Sequence, residues 1–454
     1  MPLPNRTPAP VDNQPHVVIV GAGFGGIACA TGLGGTNIRV TVIDQRNYYL
    51  FVPLLYQVAT AALSPADIAQ PIRKILSRHS NIDVMMGEVV GVDTGSRQVK
   101  LADGGIVPYD RLVIATGASY SYFGHDDWAR IAPGLKTVED AAHIRARILG
   151  CFELAEMTAD PEQQKALMTS VIVGGGPTGV EMAGAIAELT RYTLVRDFRR
   201  IDPRAARILL VEAGPRVLAT FPEPLSQYAR RALDRLGVTV LTNQTVEKIE
   251  PHGVTIGGRF IAAGTMVWAA GVEASPAGRW LDVETDRSGR IRVNPDLSVP
   301  GLDGVYALGD TALTVGDDGK PLPGLAQVAK QQGLHLARGL QANILRGEPM
   351  APFRFKNRGN TAIIGRTAAV FDFGTRQLKG WFAWLLWAIV HVYLLVGFEK
   401  RLLVSLQWFW RYLTYERGAR LIIGSGLPPP ETIASPRSQD ETGTIDVRRS
   451  GTPR

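Results

Sequence analysis

The chain is poor in cysteine, and this scarcity excludes several kinds of redox and structural site. Its 454 residues include only two cysteines, Cys29 and Cys151, which are far apart and form no Cys-X-X-Cys motif. A disulfide framework, a cysteine metal site and a dithiol redox centre are therefore not expected, and no other metal site is indicated. The scarcity of cysteine fits a protein in a reducing, cytoplasmic environment. The N-terminus also lacks the apolar run of a secretion signal, so residues 1–14 are expected to be a disordered leader.

Positive charge is concentrated in one part of the chain. The net charge is +7, yet residues 353–420 alone hold eleven Lys and Arg against three Asp and Glu. A basic patch can bind nucleic acid, but no nucleic-acid motif accompanies this one. Basic residues around an apolar segment instead favour an anionic membrane surface. We therefore expect a membrane partner and no nucleic acid.

A strand, a glycine-rich loop, a helix and a strand ending in an acid follow one another twice. The first copy runs through HVVIVGAGFGG to VTVID, and the second through SVIVGGGPTGVE to ILLVEA. One glycine of each loop permits a tight turn, the next lets backbone approach a pyrophosphate, and a third packs helix on strand. These roles fall to Gly21, Gly23 and Gly26, with Gly25 beside them, and to Gly174, Gly176 and Gly179.

Each copy predicts a dinucleotide site. The helix N-terminus after each loop offers free N–H groups and a positive dipole end to phosphates. Asp44 and Glu212, at the ends of the next strands, are placed to accept hydrogen bonds from ribose hydroxyls. Glu212 would also repel a 2′-phosphate, which favours NADH over NADPH, although Arg216 is close enough to weaken that preference. Two such sites predict an α/β fold with two nested dinucleotide-binding domains, and electron transfer between two carriers.

An apolar, tryptophan-rich segment follows both copies. Residues 381–398 contain no Asp, Glu, Lys or Arg, and Trp381, Trp384 and Trp387 recur at every third position as one aromatic stripe. Tryptophan prefers the boundary between water and lipid. By length the run could be one transmembrane helix, whereas residues 401–423 have the amphipathic pattern of a helix lying in the interface. Residues 427–454 are polar and proline-rich, so they are expected to be disordered.

Together these motifs resemble a known family. GAGFGG, the strand LVIATG, GGGPTGVE and GVYALGD are similar to motifs of the two-dinucleotide-fold flavoprotein reductases. Within that superfamily, FVPLLYQVATAALSPADIAQPIR, the stretch around APGLKTVEDA and GLAQVAKQQG resemble the type II, non-proton-pumping NADH:quinone oxidoreductases, over roughly residues 15–425. The resemblance implies a single-subunit respiratory NADH dehydrogenase. It would pass electrons from NADH, bound as a substrate on the second fold, through tightly but non-covalently bound FAD on the first fold to a membrane quinone.

The resemblance also orders the domains. An FAD-binding domain would comprise residues 15–120 and 290–350, an NADH-binding domain residues 121–289, and a helical membrane-anchoring region residues 351–426. Attachment to the cytoplasmic face of the cell inner membrane would be peripheral and monotopic, with a single transmembrane helix at 381–398 as the alternative. Dimerisation of two copies through the C-terminal region is compatible with the resemblance.

Further cofactor contacts are implied residue by residue. Gly309 and Asp310 would contact the ribityl and pyrophosphate groups of the flavin, and Val89 would pack near its adenine. Ala326 and Gln327 would lie against the isoalloxazine at a helix N-terminus, where the dipole would stabilise negative charge on reduced flavin. The ends of the two equivalent strands complete the set of cofactor residues with Thr116, Gly117 and Gly271.

Three residues are candidates for catalysis: Glu181, Gln327 and Gln331. Glu181 is expected in the first turn of the second loop helix, where an acid either complements the helix dipole or tunes hydride and proton transfer beside the nicotinamide. The two glutamines share one helical face. Taken alone they would be solvent-exposed, but in the family this face lines the quinone site, with side-chain amides available to the quinone carbonyl.

Two features of the tail stay open. His391 would be a packed histidine or would face a quinone channel, and no lysine lies between Lys379 and Lys400, where many family members carry one.

Two alternative functions also stay open: a superfamily reductase with another acceptor, and a membrane-associated dinucleotide sensor. Sulfide oxidation would require reactive cysteines, for which Cys29 is a poor candidate.

Overall fold

The structure is a computed structural model that describes residues 14–394, 402–406, 408, 418 and 420–422. Four stretches lie outside the described residues: the expected leader except residue 14, most of the amphipathic segment at 401–423, residues 395–398 of the apolar run, and the polar C-terminal tail.

The first glycine-loop unit forms a parallel sheet whose central strand is buried on both sides. That strand, His16–Val20, is an apolar run of the kind expected for a parallel strand covered on both faces. The chain then turns into the helix Phe24–Leu33. The five strands lie in the order Val305–Ala307, Arg111–Ile114, His16–Val20, Arg39–Asp44 and Ile82–Met86.

The second unit repeats this arrangement with four parallel strands. Its loop leads into the helix Pro177–Glu188. The strands lie in the order Val238–Thr242, Arg207–Glu212, Thr169–Val173 and Thr265–Trp268. The observed architecture is therefore α/β, with two dinucleotide-binding folds, as the sequence predicts.

The chain crosses between the two folds and returns to the first. The strands Ala118–Tyr120 and Val272–Ala274, one from each crossing, pair antiparallel. After the second crossing, Val305–Ala307 joins the edge of the first sheet beside Arg111–Ile114. Residues distant in sequence are thereby brought to the junction of the two folds.

A three-stranded antiparallel sheet begins the C-terminal region, which the sequence predicted to be helical. Its strands are Asn360–Gly365, Ala368–Asp372 and Gln377–Gly380, and the helix Trp381–Leu394 follows at once. The sheet packs against the second loop helix so closely that a Cβ on Gly184 would lie 1.8 Å from the carbonyl oxygen of Ile364. Only glycine allows this approach.

The helix Ala326–Arg346 covers the first fold. It packs against the first loop helix, and a Cβ on Gly333 would lie 2.2 Å from the carbonyl oxygen of Gly25. The backbones of the two helices therefore touch where both carry glycine.

Further α-helices and small sheets complete the described fold. The other helices are Leu55–Ala59, Pro65–Ile68, Ile72–Leu76, Val138–Met157, Pro161–Leu167, Glu223–Arg235 and Ala277–Leu281. The remaining strands form two three-stranded antiparallel ribbons and two short pairs: Val89–Asp93, Gln98–Leu101 and Ile106–Pro108; Val246–Glu250, Gly253–Ile256 and Arg259–Ala262; Tyr48–Leu50 with Ala69–Pro71; and Ile291–Arg292 with Ala312–Leu313.

Candidate functional site

The turn glycines of the two loops have the same positive-φ backbone geometry. Gly21 has a φ of +101° and Gly174 a φ of +108°, which is backbone that residues with a Cβ rarely adopt. A Cβ would also lie 2.3 Å from the carbonyl oxygen of Ala115 in the first loop, and 2.7 Å from that of Ala269 in the second. Both positions therefore require glycine, as the motif predicts.

The third glycines pack each helix onto its own loop. A Cβ on Gly26 would lie 1.8 Å from the carbonyl oxygen of Gly21, and a Cβ on Gly179 would lie 1.8 Å from that of Gly174. These contacts hold the helix N-terminus at one fixed position relative to the strand before it. Gly25 is equally constrained, since its Cβ would lie 2.2 Å from Leu308 Cδ1.

The middle glycines face open space at the helix N-termini. A Cβ on Gly23 or Gly176 would meet no atom within 4 Å, and neither residue has a positive φ. No side chain caps either helix, so the first N–H groups are directed into this space. The two loops thus fit the pyrophosphate of a dinucleotide, such as FAD or NADH, because only a residue without a Cβ leaves the space beside the N–H groups open to phosphates.

The two strand-terminal acids hold their own glycine loops, a task that the sequence did not reveal. Asp44 accepts hydrogen bonds from Ala22 N at 2.7 Å and from Arg46 N at 2.8 Å, one on each carboxylate oxygen. Glu212 accepts from Gly175 N at 2.6 Å and Gly214 N at 2.7 Å in the same pattern. Each oxygen keeps a lone pair, so the expected contact with ribose hydroxyls stays a prediction.

Arg216, whose charge would favour a 2′-phosphate beside Glu212, forms hydrogen bonds with backbone carbonyl groups instead. Its guanidinium donates to the carbonyl oxygens of Phe221 and Ala219, each at 2.7 Å. The side chain therefore braces the loop after the strand. The predicted preference for NADH over NADPH is not weakened by this arginine in the observed arrangement.

A cluster of hydroxyl groups joins the two folds. Thr116 Oγ1 lies 2.5 Å from Ser275 Oγ, which lies 3.2 Å from Thr311 Oγ1. The adjacent predicted residues Gly117 and Gly271 both have positive φ, of +69° and +68°. Ser275 and Thr311 were not predicted, because neither belongs to a glycine-loop motif and each meets Thr116 only through the crossing between the folds.

The loop after strand Val305–Ala307 is held by a buried glutamine that the sequence analysis passed over. Gly309, with a φ of +71°, donates its N–H to Gln332 Oε1 at 2.7 Å. Gln332 Nε2 in turn donates to Thr314 Oγ1 at 2.8 Å, and the side chain is only 1% exposed. Asp310 is half-buried next to Gly324, where a Cβ would lie 3.1 Å from its Oδ1.

Replacing Gln332 with leucine is expected to destabilise the protein, whereas the same change at Gln331 is not. The first substitution leaves the partly buried N–H of Gly309 and the hydroxyl of Thr314 without this partner, at a cost of about 1–3 kcal/mol. Gln331 bonds only exposed backbone, so its loss should cost under about 1 kcal/mol. Urea unfolding of both variants would measure the difference, and equal unfolding midpoints would contradict the role of Gln332.

The predicted glutamine face of the helix Ala326–Arg346 contacts an extended chain segment. Gln327 accepts from Arg358 N at 3.1 Å and donates to Gly359 O at 2.9 Å. Gln331 both accepts from Lys356 N and donates to Lys356 O, each at 3.0 Å. Gln327 Nε2 also lies 3.5 Å from Asn360 Oδ1, so both of its N–H groups have acceptors, whereas Gln331 keeps a second N–H that could serve a quinone carbonyl. The quinone contact stays a prediction.

Two other predicted residues lie near the first loop and the glutamine helix. Val89 is 7% exposed and pairs with Leu101 across the first ribbon, two residues after Gly87, whose N–H donates to Asp44 O at 2.9 Å. This position places Val89 beside the acid at the end of the second strand. Ala326 begins its helix as expected, and no side chain caps the free N–H groups there.

Glu181 lies at the fifth position of its helix, so the prediction of a first-turn acid is wrong. The helix begins at Pro177, and the dipole acts mainly within the first turn. The carboxylate faces the C-terminal sheet, with Ile363 N 3.4 Å from its Oε1. The side chain keeps partial contact with solvent although protein surrounds it closely, and burial raises its pKa to about 8. A carboxyl that titrates near neutrality can carry a proton.

Replacing Glu181 with glutamine is expected to stabilise the protein at high pH and not at low pH. The folded protein holds this proton up to about pH 8, whereas the unfolded chain releases it near 4.5. Wild-type stability therefore falls as pH rises between these values, while the amide does not titrate. Urea unfolding should show a gain of about 2 kcal/mol at pH 9, reduced from the full shift by partial solvent contact, and almost none at pH 5. A gain independent of pH would contradict the raised pKa.

Comparison with known proteins agrees with this arrangement. Residues 15–333 match the pyridine nucleotide-disulphide oxidoreductase family. The chain is 39% identical to the type II NADH:quinone oxidoreductase Ndh of Mycobacterium tuberculosis over 430 residues, covering 91% of this chain and 92% of that protein. It is 40% identical to NdhA of the same organism over 439 residues, covering 93% and 92%.

The chain belongs to the type II NADH:quinone oxidoreductases. Its fold is also that of a solved structure of NDH2 from Plasmodium falciparum in complex with NADH, with a TM-score of 0.82 and 21% identity over 90% of this chain and 100% of that one. The sulfide:quinone oxidoreductase of Aquifex aeolicus is a more distant match, with a TM-score of 0.63 and 19% identity over 85% and 91%. At these identities the two structures establish the fold.

Cysteine chemistry is disfavoured in this type II NADH:quinone oxidoreductase, even though the wider family is named for disulphides. Cys29 and Cys151 are both buried. Burial raises the pKa of the Cys29 thiol to about 12, so the reactive thiolate is disfavoured at neutral pH.

His391 is a packed histidine in an aromatic cluster. Its ring stacks on Trp387 at 4.3 Å and meets Phe51 edge-on at 6.2 Å. Nδ1 donates to the carbonyl oxygen of Trp387 at 2.8 Å, and burial lowers the pKa of His391 to about 4. The ring is therefore neutral at physiological pH. Phe51 also contacts Phe24 of the first loop helix at 5.9 Å, so the cluster docks the tail on the first fold.

The helix Trp381–Leu394 presents apolar side chains on both sides. Ala383, Trp387 and His391, four residues apart, face the protein and are buried. Trp387 is thus turned away from the surface, and the aromatic stripe predicted from its spacing does not face one way. The opposite side exposes the apolar residues Phe382, Leu385, Ile389 and Tyr393. Among the residues that the structure describes, no helix has both the length and the apolar character to cross a membrane.

Proposed function

We propose that this chain is a single-subunit respiratory NADH dehydrogenase that transfers electrons from NADH to a membrane quinone without pumping protons. The observation that carries the proposal is the matched pair of glycine loops, in a chain whose relatives at about 40% identity are type II NADH:quinone oxidoreductases. FAD, when bound, would accept the hydride of NADH and deliver two electrons to the quinone.

The first fold would hold FAD. Its loop at Gly21–Gly26 receives the pyrophosphate in the space beside Gly23, and the free oxygen lone pairs of Asp44 receive the ribose. Gly309, whose loop Gln332 holds, and Asp310 would close the site, and the uncapped helix N-terminus at Ala326 would lie near the ring. Gln332 keeps the Gly309 loop in place, so it positions the site without touching the cofactor.

The second fold would hold NADH as a substrate. Its loop repeats the geometry of the first, with open space beside Gly176, and Glu212 receives the ribose. Glu181 lies on the same helix, between this site and the C-terminal sheet. Its raised pKa suits a group that holds or releases a proton near neutral pH, although what it protonates is not defined by its contacts.

The tail would attach the enzyme to the cytoplasmic face of the inner membrane without crossing it. The exposed residues Phe382, Ile389 and Tyr393 form an apolar stripe that lipid would cover. Basic residues around this stripe, such as Lys379, would meet anionic headgroups. Two copies joined through this region would place both stripes on one membrane surface.

An anaerobic titration tests the electron path. The protein is purified with its flavin, NADH is added without oxygen, and a short-chain quinone follows. We expect NADH to bleach the flavin absorbance and the quinone to restore it, with one quinone reduced per NADH oxidised. A flavin that NADH does not bleach would refute the dehydrogenase and favour a dinucleotide sensor. If NADH bleaches the flavin but quinone does not restore its absorbance, the protein oxidises NADH but passes the electrons to an acceptor other than quinone.

A further inference from the structure

The second fold carries a basic loop that lies outside the C-terminal region. Residues 191–207 contain six Arg and two Asp, and we call residues 196–204 the arginine loop. Arg196, Arg199, Arg200 and Arg204 within it are all exposed. Nothing in the dinucleotide site uses these side chains, so their concentration calls for another explanation.

The backbone of the arginine loop is anchored by the helix Val138–Met157. The carboxylate of Glu156 accepts the backbone N–H groups of Arg199, Arg200 and Ile201 at 2.9–3.1 Å. Phe198 packs inward against Phe152, with ring centroids 6.0 Å apart. Because Phe198 and the backbone point inward, the arginine side chains of this segment are held toward solvent.

Acidic neighbours neutralise only part of this charge. Asp202 pairs with Arg204 at 2.9 Å, and Asp197 pairs with Arg420 of the tail. Arg196 and Arg199 have no ion-pair partner among the residues that the structure describes. The loop therefore keeps unpaired guanidinium groups on its surface.

The ion pair between Asp197 and Arg420 also connects the arginine loop to the tail. Leu421 and Ile422, which follow Arg420, are exposed apolar residues. Exposed arginines and exposed apolar side chains are thus adjacent, although they come from different parts of the chain. This combination is typical of a surface that binds a lipid interface.

We propose that the arginine loop is a second membrane contact that binds the headgroups of anionic phospholipids. The guanidinium group suits phosphate because it can donate two parallel hydrogen bonds. The inference rests on the membrane attachment in the proposed function and extends it to the second fold. Two contacts on different folds fix the orientation of the enzyme, whereas the tail alone allows it to tilt.

Vesicle binding of charge-matched variants tests this proposal. The variant R196Q/R199Q loses two positive charges from the loop, and the control R130Q/R259Q loses two from exposed arginines elsewhere on the second fold. We expect the loop variant to bind phosphatidylglycerol-containing vesicles roughly 25-fold more weakly, at about fivefold per arginine. The control should bind like the wild type. Both variants should keep their turnover with a soluble quinone, which shows that the fold is intact.

The arms of this experiment separate the possible failures. If the loop variant and the control variant bind vesicles equally well, the arginine loop is not a membrane contact, and the proposed function is unaffected. If the wild type binds no vesicles, both the membrane contact of the arginine loop and the membrane attachment in the proposed function are refuted. A loop effect that is as large on phosphatidylcholine vesicles as on anionic ones would overturn the headgroup assignment. A binding defect of the loop variant that is confined to anionic vesicles and becomes smaller in high salt supports it.

Discussion

Replacing Gly176 with valine should give a protein that retains its flavin but that NADH no longer reduces. The position has no positive φ, and a Cβ there would meet no protein atom within 4 Å. The substitution therefore strains neither the backbone nor the packing. It places the valine side chain in the space beside the helix N-terminus, where the NADH pyrophosphate is proposed to bind.

The expected loss is large because the side chain excludes the phosphates from their N–H donors. We expect kcat/KM for NADH to fall roughly 100-fold or more, equivalent to about 2.7 kcal/mol. Stopped-flow reduction of the bound flavin by NADH measures this directly, and reduction by dithionite shows that the flavin itself remains competent. Normal reduction by NADH would contradict the assignment of the second loop.

Replacing Gly23 with valine should instead yield protein without FAD. The geometry matches that of Gly176: no Cβ contact within 4 Å and no positive φ. The valine would fill the space beside the first loop helix, so the cofactor would be lost while the fold persists. The flavin content of the purified protein, measured from its absorbance, should fall at least tenfold, a difference of about 1.4 kcal/mol in binding.

A matched control separates loss of cofactor from general damage. Gly91 lies on the first antiparallel ribbon, and its Cβ would contact only Lys100 Cδ at 4.0 Å. Valine at this position should leave both flavin content and NADH turnover unchanged. Circular dichroism of all three variants should overlay. If the Gly23 variant kept its flavin and the Gly176 variant lost it, the order of the two sites would be reversed.

This pair of variants tests which loop binds FAD and which binds NADH, because the geometry of the two loops is the same for both. The two loops have nearly the same geometry, with turn glycines at +101° and +108° and acids that bind the loop in the same pattern. Nothing within either loop distinguishes FAD from NADH. The order rests on the family resemblance, and only chemical behaviour separates two sites that look alike.

Contiguous residues were enough to identify the elements of the fold. The first five residues of the first motif, HVVIV, form the strand His16–Val20, and the helix expected at Ala326 begins there. A glycine loop is recognisable because its turn, its close approach and its helix contact all fall within six residues. Both glycine loops and both strand-terminal acids are therefore recognisable from the sequence alone.

Other features could not be predicted because their partners are far away in the chain. The three-stranded sheet at residues 360–380 has short strands that are defined by their pairing and by packing on the second loop helix. Glu181 was placed one turn too early, and its enclosure by that sheet involves residues more than 180 positions later. Gln331 and Gln332 are neighbours in sequence, yet only the second is buried and bonded to Gly309.

The repeated glycine loops, the scarcity of cysteine and the basic apolar tail were enough to indicate two dinucleotides and a membrane. These properties depend on residue type and short spacing, which any stretch of chain carries with it. Packing settled which groups meet: Thr116 with Ser275, Gly309 with Gln332, and Arg420 with Asp197. Each of these contacts depends on how the two folds and the tail dock, and docking is governed by the summed burial of many side chains rather than by any one motif.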